Sequence, residues 1–163
     1  MTPQDEQTPK PRVVVESLDQ EFAHLHERSC NLVVAIPAEN LYKSIGGVTS
    51  SSVGENVLRS AASVEQTFGG LTANLWDDPF EWTLPETLST PAKVLEYLEE
   101  VEQTRQRAFA AIPSDSELFK KIPLPSEEFQ PLAKVLIATL VRAAGYQGRA
   151  NACMMEWNCL KEA

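Results

Sequence analysis

The sequence has few of the side chains that usually bind transition metals. Its 163 residues include only two histidines, His24 and His26, and three cysteines, Cys30, Cys153 and Cys159. On a helix, residues 24 and 26 would point about 200° apart, so their rings would not readily converge on one ion. The odd number of cysteines, with no metal-binding spacing, favours reduced thiols in a cytoplasmic protein over a disulfide framework. We therefore predict neither a bound metal nor another cofactor.

Long apolar segments and a basic charge balance are also absent. Apolar runs such as residues 32–36 fall far short of the roughly 20 residues that span a membrane, and no segment resembles a signal peptide. The 23 acidic and 14 basic residues give a formal net charge of −9, which repels phosphate backbones and anionic lipids. We therefore expect neither nucleic acid nor a membrane as a partner.

Helical periodicity is the dominant pattern of the sequence, and the first two predicted helices have clear boundaries. Apolar residues recur at steps of three and four over 13–36, and Pro37 ends that segment. The second segment opens with Ser52 and Glu55, which have the spacing of a capping box. Its buried stripe has one polar member, Ser60.

The third and fourth segments complete the pattern. Thr90 and Pro91 are a typical cap and first-turn pair, and Pro113 stops the third helix. Arg105 is the polar member of its apolar stripe. The fourth helix is predicted over about 131–160, and its first half is apolar on more than one face, which indicates a central position or a subunit interface.

These segments predict an all-α fold in which four helices form a bundle. Residues 1–12 are rich in proline and lack apolar periodicity, so they are predicted to be a flexible N-terminal tail. Residues 13–163 are predicted to form one domain. No strand is predicted.

Two motifs make the chain similar to a known family. One is the capped second helix, in which Ser52 and Glu55 precede Glu65 and Phe68, and the other is Arg-Ala-Ala-Gly-Tyr-Gln-Gly-Arg over residues 142–149. With the helix and loop lengths, they resemble the DinB/YfiT-like family of four-helix bundles across roughly residues 13–160. That family includes thiol-dependent transferases and isomerases, and its members often form dimers. The resemblance therefore implies this type of bundle and a homodimer.

The resemblance also implies where a family metal site would lie. Family members typically bind a divalent metal through one histidine on the second helix, five residues before an acid, and two histidines four apart on the fourth helix. Here those positions hold Ser60, followed by Glu65, and the pair Arg142 and Tyr146. Arginine is a fixed cation and the two hydroxyls are weak ligands for such ions. The chain is thus interpreted as a degenerate member that has lost the metal site.

Two interpretations of these positions stay open. Ser60, Arg142 and Tyr146, with Glu65 and Arg105 nearby, would form a pocket for a small anionic ligand, because a guanidinium is a planar fork of donors. Alternatively, an ion pair of Glu65 with either arginine fills the space and leaves no binding site.

Three functions follow as hypotheses. The first is a small-ligand-binding or structural homodimer without catalysis. The second is an enzyme that resembles the thiol-dependent transferases or isomerases and binds a low-molecular-weight thiol through Arg142 and Tyr146. The third is a metalloprotein with non-standard ligands, recruited from Glu65, a histidine and an acid of the loop before the third helix.

Overall fold

Four helices account for most of the chain, as predicted. The structure is a computed structural model that describes residues 10–44, 46, 50–79 and 84–162. For residues 161 and 162 it describes the backbone alone. The helices are α1 (Val13–Ala35), α2 (Val53–Ala73), α3 (Pro91–Ala110) and α4 (Leu132–Glu162). The all-α class is confirmed. None of the helices in the described part of the chain combines the length and apolar character that crossing a membrane requires.

The helix ends follow the predicted capping signals. The Ser52 hydroxyl accepts a hydrogen bond from the Glu55 amide, and the Glu55 carboxylate accepts one from the Ser52 amide, so the capping box is confirmed. Asn74, with φ of 56°, ends α2 in the left-handed conformation. At α3, Thr90 caps the Lys93 amide and Pro91 occupies the first turn.

The helices run in an up, down, down, up order. Helix α3 lies between α1 and α2, and α4 packs against α2 and α1 on the opposite side. Helix α1 is antiparallel to α3, α2 is parallel to α3, and α4 is antiparallel to α2. Two contacts define each direction. They are Arg12 with Ile112 and Asp19 with Arg105 for α1 and α3, Glu65 with Tyr97 and Phe68 with Phe109 for α2 and α3, and Asn56 with Cys153 and Thr67 with Thr139 for α2 and α4.

Three aromatic rings occupy the centre of the bundle. Phe22, Phe68 and Phe109 come from three different helices, are all at most 1% exposed, and have ring centroids 5.2 to 5.7 Å apart. Edge and tilted contacts of this kind add to the stability that burial of the rings already provides. This cluster fixes α1, α2 and α3 relative to one another.

A short hairpin before α4 was not predicted. Strands β1 (Lys121–Pro123) and β2 (Phe129–Pro131) pair antiparallel, after a 3-10 helix at Asp115–Phe119. Each strand has three residues and ends in proline, so neither is long enough to show the alternation that identifies a strand in a sequence. The prediction that no strand is present is therefore wrong.

The domain begins before residue 13. The Arg12 guanidinium donates to the carbonyls of Phe109 and Ile112, and the Pro11 carbonyl accepts a hydrogen bond from the Asp115 amide. These contacts attach residues 11 and 12 to the end of α3 and the segment after it. Of the tail predicted over residues 1–12, residues 1–9 lie outside the described residues.

Candidate functional site

Ser60 is part of the helix packing between α2 and α4. Its side chain is 2% exposed, and its hydroxyl donates to the Ala143 carbonyl across the interface at 2.9 Å. Because a buried hydroxyl needs a partner, this bond satisfies the Ser60 side chain, which is one of several buried polar groups on α2. The Ser60 position therefore has a structural explanation that requires no ligand.

A small internal cavity lies beside Ser60 on the side of α1 and α3. Its volume is about 30 Å³, and its polar lining includes His26, Ser29, Glu102 and Arg105. Such a volume holds roughly two water molecules. The cavity is thus a place for hydration of the core, and it is too small for a metabolite.

Arg105 also lines this cavity, and its guanidinium is fully engaged. It is 3% exposed and forms two parallel bonds to Glu102, from Nε to Oε2 at 2.8 Å and from Nη2 to Oε1 at 2.6 Å. Its Nη1 donates to the carboxylate and carbonyl of Asp19 on α1. The prediction that Glu65 would be its acidic partner is wrong, because Glu102 lies one turn away on the same helix and Asp19 lies opposite.

The Arg105 contacts decide the ionisation of Glu102. Burial alone would raise the pKa of Glu102, but the hydrogen bonds and positive charge of Arg105 outweigh it and hold that pKa below its usual value of 4.5. The pKa of Arg105 is raised in turn, because its bonds to Glu102 and Asp19 outweigh the effect of burial. This cluster is a buried, internally satisfied ion pair.

Glu65 points to α3, and no arginine of the described residues pairs with it. Its Oε2 accepts a hydrogen bond from the Tyr97 hydroxyl at 2.5 Å. Burial raises the pKa of Glu65 above 4.5, the Tyr97 bond lowers it, and the charge of Glu100 raises it further, so the net shift is upward. The predicted pairing of Glu65 with Arg142 is therefore also wrong.

Arg142 and Tyr146 meet in a surface pocket between α2 and α4. The pocket is about 130 Å³ in volume, and Arg59 and Ser63 of α2 line it with Asp78. The Arg142 Nη1 donates to the Gln66 side chain at 3.4 Å. Within the ranges that the structure describes, Arg142 forms no ion pair. The predicted convergence holds for Arg142 and Tyr146, whereas Ser60 and Arg105 line the separate internal cavity.

A larger pocket of about 400 Å³ adjoins the pocket of Arg142 and Tyr146, and Gln66 and Arg142 line both. Trp76 forms one wall of the larger pocket. Its ring lies so close to Gly70 that a Cβ added there would be 2.3 Å from the nearest ring atom. The Trp76 carbonyl accepts a hydrogen bond from the Gln66 side chain. We name the two pockets together the α2–α4 groove. Its lining residues are Arg59, Ala62, Ser63, Gln66, Thr67, Trp76, Asp78, Leu124, Pro125, Ser126, Gln130, Val135, Ala138, Thr139, Arg142 and Tyr146.

The charged residues that line the groove are two arginines, Arg59 and Arg142, and one acid, Asp78, and further basic residues of α4 lie beside it. Between Leu132 and Met155, α4 carries Lys134, Arg142 and Arg149 and no acid, although the whole chain has a net charge of −9. The Arg149 guanidinium lies over the Tyr146 ring, 5.4 Å from its centroid. Cations concentrated at a concave surface raise the local concentration of anions.

Sequence reasoning missed the α2 side of this groove. Arg59, Ser63 and Gln66 follow one another at steps of four and three, so they share one face of α2. That spacing was the available signal. Ser60, which the resemblance singles out, lies on the same helix but faces the interior.

A thiol–imidazole contact on α1 was also missed. The Cys30 Sγ lies 3.6 Å from the His26 Nε2, which is itself 3.9 Å from a Glu99 carboxylate oxygen. The i, i+4 spacing of residues 26 and 30 was the signal. Burial, followed by the charges of Glu99 and Glu102, raises the pKa of the Cys30 thiol above 9.0, so it stays protonated and is a poor nucleophile at neutral pH.

The side chains at the family's metal positions do not form a set of ligands. The Ser60 hydroxyl is bonded to a carbonyl inside the bundle, and the Arg142 cation and Tyr146 lie in the outer groove. Among the described residues, no group of three or more His, Cys, Asp or Glu side chains is arranged to hold a metal ion. These positions do not fit a metal, and no chemistry is assigned to one.

Comparisons of the chain with protein-family models, with curated proteins and with solved structures found no match.

Proposed function

We propose that the protein binds a small anionic molecule in the α2–α4 groove, with Arg142 as the principal contact. The observation that carries the proposal is that Arg142 is exposed, lines both pockets of the groove and has only the neutral Gln66 side chain as a hydrogen-bond partner among the described residues. A guanidinium in this state can offer paired donors to a carboxylate or a phosphate.

Tyr146 supports the same ligand class. Its ring lies under the Arg149 guanidinium, and its hydroxyl has no hydrogen bond within the described part of the chain. A ligand oxygen held by Arg142 would lie one helical turn from this hydroxyl, since residues 142 and 146 share a face. The proposed roles are charge pairing for Arg142 and hydrogen-bond donation for Tyr146.

The larger pocket suggests that the ligand has an apolar part beside its anionic group. Trp76, Leu124, Pro125 and Val135 line that pocket together with Arg142. Small-molecule sites commonly combine apolar walls with a few placed polar groups. A DinB-like bundle that has lost its metal site and retains only a binding role is consistent with this arrangement.

Calorimetric titration with three probes tests the proposal: inorganic phosphate, benzoate and glutathione, a low-molecular-weight thiol with two carboxylates. The wild type is expected to bind at least one of them. Arg142→Ala should weaken that binding by about ten- to a hundredfold, because a charge-assisted hydrogen bond contributes about 1.5–3 kcal/mol. Arg107→Ala is the matched control, since Arg107 is an exposed arginine of α3 whose one hydrogen bond within the described ranges is to Thr104 of its own helix.

Two outcomes would contradict the proposal. One is equal affinity of the wild type and Arg142→Ala for the probe that binds, which would place the site elsewhere. The other is failure of the wild type to bind any of the three probes at millimolar concentration.

A second candidate function is thiol-dependent transfer, and the neighbouring Arg142 and Tyr146 in one pocket favour it. Here Arg142 would hold a carboxylate of the thiol, and Tyr146 would donate a hydrogen bond to the reacting group. Glutathione and a chloronitrobenzene are suitable reactants, because the thiolate displaces chloride without any other co-reactant. Turnover by the wild type that is lost in Tyr146→Phe, with glutathione binding retained, would favour this function over binding alone.

A further inference from the structure

The pocket of Arg142 and Tyr146 contains an acid as well as cations. Asp78, which is exposed, lines this pocket of about 130 Å³ together with Arg142 and Arg59. An acid beside the cations weakens the binding of a purely anionic ligand, because like charges repel each other. The same acid strengthens the binding of a ligand that carries a positive charge beside its negative one. The charges of this pocket therefore fit a zwitterion better than a simple anion.

The segment that follows α2 positions Asp78. Asn74 ends α2 in the left-handed conformation, and its side chain accepts a hydrogen bond from the Trp76 indole at 3.1 Å. The Trp76 carbonyl accepts a hydrogen bond from Gln66, whose side-chain oxygen accepts one from Arg142. Gln66 therefore links this segment to the Arg142 guanidinium, and Asp78 lies two residues after the linked carbonyl.

The size of the pocket limits the separation of the two charges on its ligand. Arg142 and Asp78 line one space of about 130 Å³, so the negative and positive groups of the ligand have to lie within a few bonds of each other. In an α-amino acid the carboxylate and the ammonium are attached to the same carbon atom. A carboxylate has roughly four acceptor positions, so Asp78 can accept from an ammonium in addition to the contacts that it has in the chain.

The larger pocket of the groove suits an apolar side chain. Its volume is about 400 Å³, it adjoins the smaller pocket at Arg142, and its walls include Trp76, Leu124 and Val135. Small-molecule sites commonly combine such walls with a few polar groups that fix the ligand's orientation. An aromatic side chain would also gain an edge or stacked contact with the Trp76 ring.

We propose that the ligand of the α2–α4 groove is an α-amino acid with an apolar side chain. Its carboxylate binds Arg142, its ammonium binds Asp78, and its side chain occupies the larger pocket. This inference rests on the function proposed above, because Arg142 has to bind the carboxylate. It adds a role for Asp78 that a site for simple anions does not need.

Calorimetric titration with L-phenylalanine and 3-phenylpropionate tests the role of Asp78, because the second compound has the same ring and carboxylate but no ammonium. The wild type is expected to bind phenylalanine at least tenfold more tightly. Asp78→Asn should lose this preference and should bind 3-phenylpropionate no more weakly than the wild type does, since the repelling charge is gone. Asp77→Asn is the matched control, since Asp77 is the adjacent exposed acid and lines a separate pocket. It should keep the preference.

Failure of this inference and failure of the proposed function give different results. Equal binding of the two compounds by the wild type, or a preference that persists in Asp78→Asn, would overturn the role of Asp78 and leave the anion site in place. Equal weakening of both compounds in Asp78→Asn would also overturn it, because Asp78 would then only maintain the pocket. Binding of both compounds by Arg142→Ala with wild-type affinity, or no binding by the wild type, would overturn the proposed function itself.

Glycine tests the place of the side chain. It carries both charges of an α-amino acid without a side chain, so the wild type should bind it at least tenfold more weakly than phenylalanine. Equal affinity for the two amino acids would overturn the assignment of the larger pocket to the side chain.

Discussion

Two arginines of the bundle, Arg105 on α3 and Arg142 on α4, differ in burial and in hydrogen-bond partners. Arg105 is 3% exposed and bonded to Glu102 and Asp19, whereas Arg142 is exposed and contacts only the Gln66 amide among the described residues. A buried cation must be paired because its desolvation costs several kcal/mol, but an exposed one needs no partner in the chain. The comparison shows that burial separates an arginine that maintains the fold from one that is available to a ligand.

The largest expected effect comes from breaking the buried pair. Arg105→Ala leaves the Glu102 carboxylate buried without its partner, and removal of one member of such a pair costs about 3–5 kcal/mol. Urea unfolding followed by circular dichroism measures this loss. If the comparison is right, Arg105→Ala is strongly destabilised and Arg142→Ala is not.

A double variant distinguishes the loss of charge pairing from the loss of packing. Arg105→Met with Glu102→Met removes both buried charges and keeps apolar volume, so it should recover most of the stability lost in Arg105→Ala. Asp19 is 42% exposed and remains solvated. A double variant as unstable as Arg105→Ala would mean that the ion pair is not the cause.

Ser60→Ala tests whether the Ser60 side chain stabilises the fold and takes no part in the groove. Ser60→Ala removes the bond to the Ala143 carbonyl, and we expect a loss of about 1 kcal/mol in the free energy of unfolding. Ser63→Ala is the comparison. The Ser63 hydroxyl bonds to the Arg59 carbonyl of its own helix and to no other helix in the part of the chain that the structure describes, so its loss should cost less. If Ser60→Ala loses stability and binds the probe as the wild type does, Ser60 stabilises the fold and is not part of the binding site. Weaker probe binding by Ser60→Ala would show that Ser60 contributes to the groove.

Glu102, which pairs with Arg105, and Glu65, which accepts a hydrogen bond from Tyr97, should affect stability in opposite ways as the pH changes. The folded-state pKa of Glu102 is lowered, so its contribution is present above pH 4.5 and is lost as the pH falls below that value. The folded-state pKa of Glu65 is raised, so its contribution is greatest below pH 4.5 and is lost as the pH rises. Glu65→Gln keeps an acceptor for Tyr97 and should therefore be slightly more stable than the wild type at pH 7. This advantage should disappear below pH 4.5 in urea unfolding at several pH values. An advantage that is the same at every pH would contradict the assigned cause.

The smallest effect on stability is expected at the proposed ligand contact. Arg142→Ala removes an exposed side chain with one long hydrogen bond, and such surface changes usually stay within about 0.5 kcal/mol. Urea unfolding without added anion measures it. A loss comparable to that of Arg105→Ala would show that Arg142 maintains the fold, and the contrast between the two arginines would fail.

Local signals in the sequence were sufficient for the helices. Pro37, the capping box of Ser52 and Glu55, and the pair Thr90 and Pro91 each act within a few residues, and the helices begin and end where they predict. The hairpin before α4 was not predictable in this way, because its two strands are stabilised by pairing with each other and not by a pattern of their own.

The candidate site depended on contacts that no local pattern encodes. The sequence identified Arg105 and Arg142 as polar residues among apolar neighbours, but which acid each would meet depends on how α1, α2 and α3 pack. Glu65 was chosen as a partner because it follows Ser60 by five residues, yet it points to Tyr97 on α3. Asp19, on α1, is 86 residues from Arg105.

We propose that Arg142, unlike Arg105, is available to an anion. The shift in unfolding temperature that the binding probe produces in the wild type, Arg142→Ala and Arg107→Ala tests this proposal. A ligand that binds only the folded state stabilises it by about 2.7 kcal/mol at a hundred times its Kd. The predicted result is a rise in the wild type and Arg107→Ala that is absent in Arg142→Ala. An equal rise in all three proteins would contradict the account.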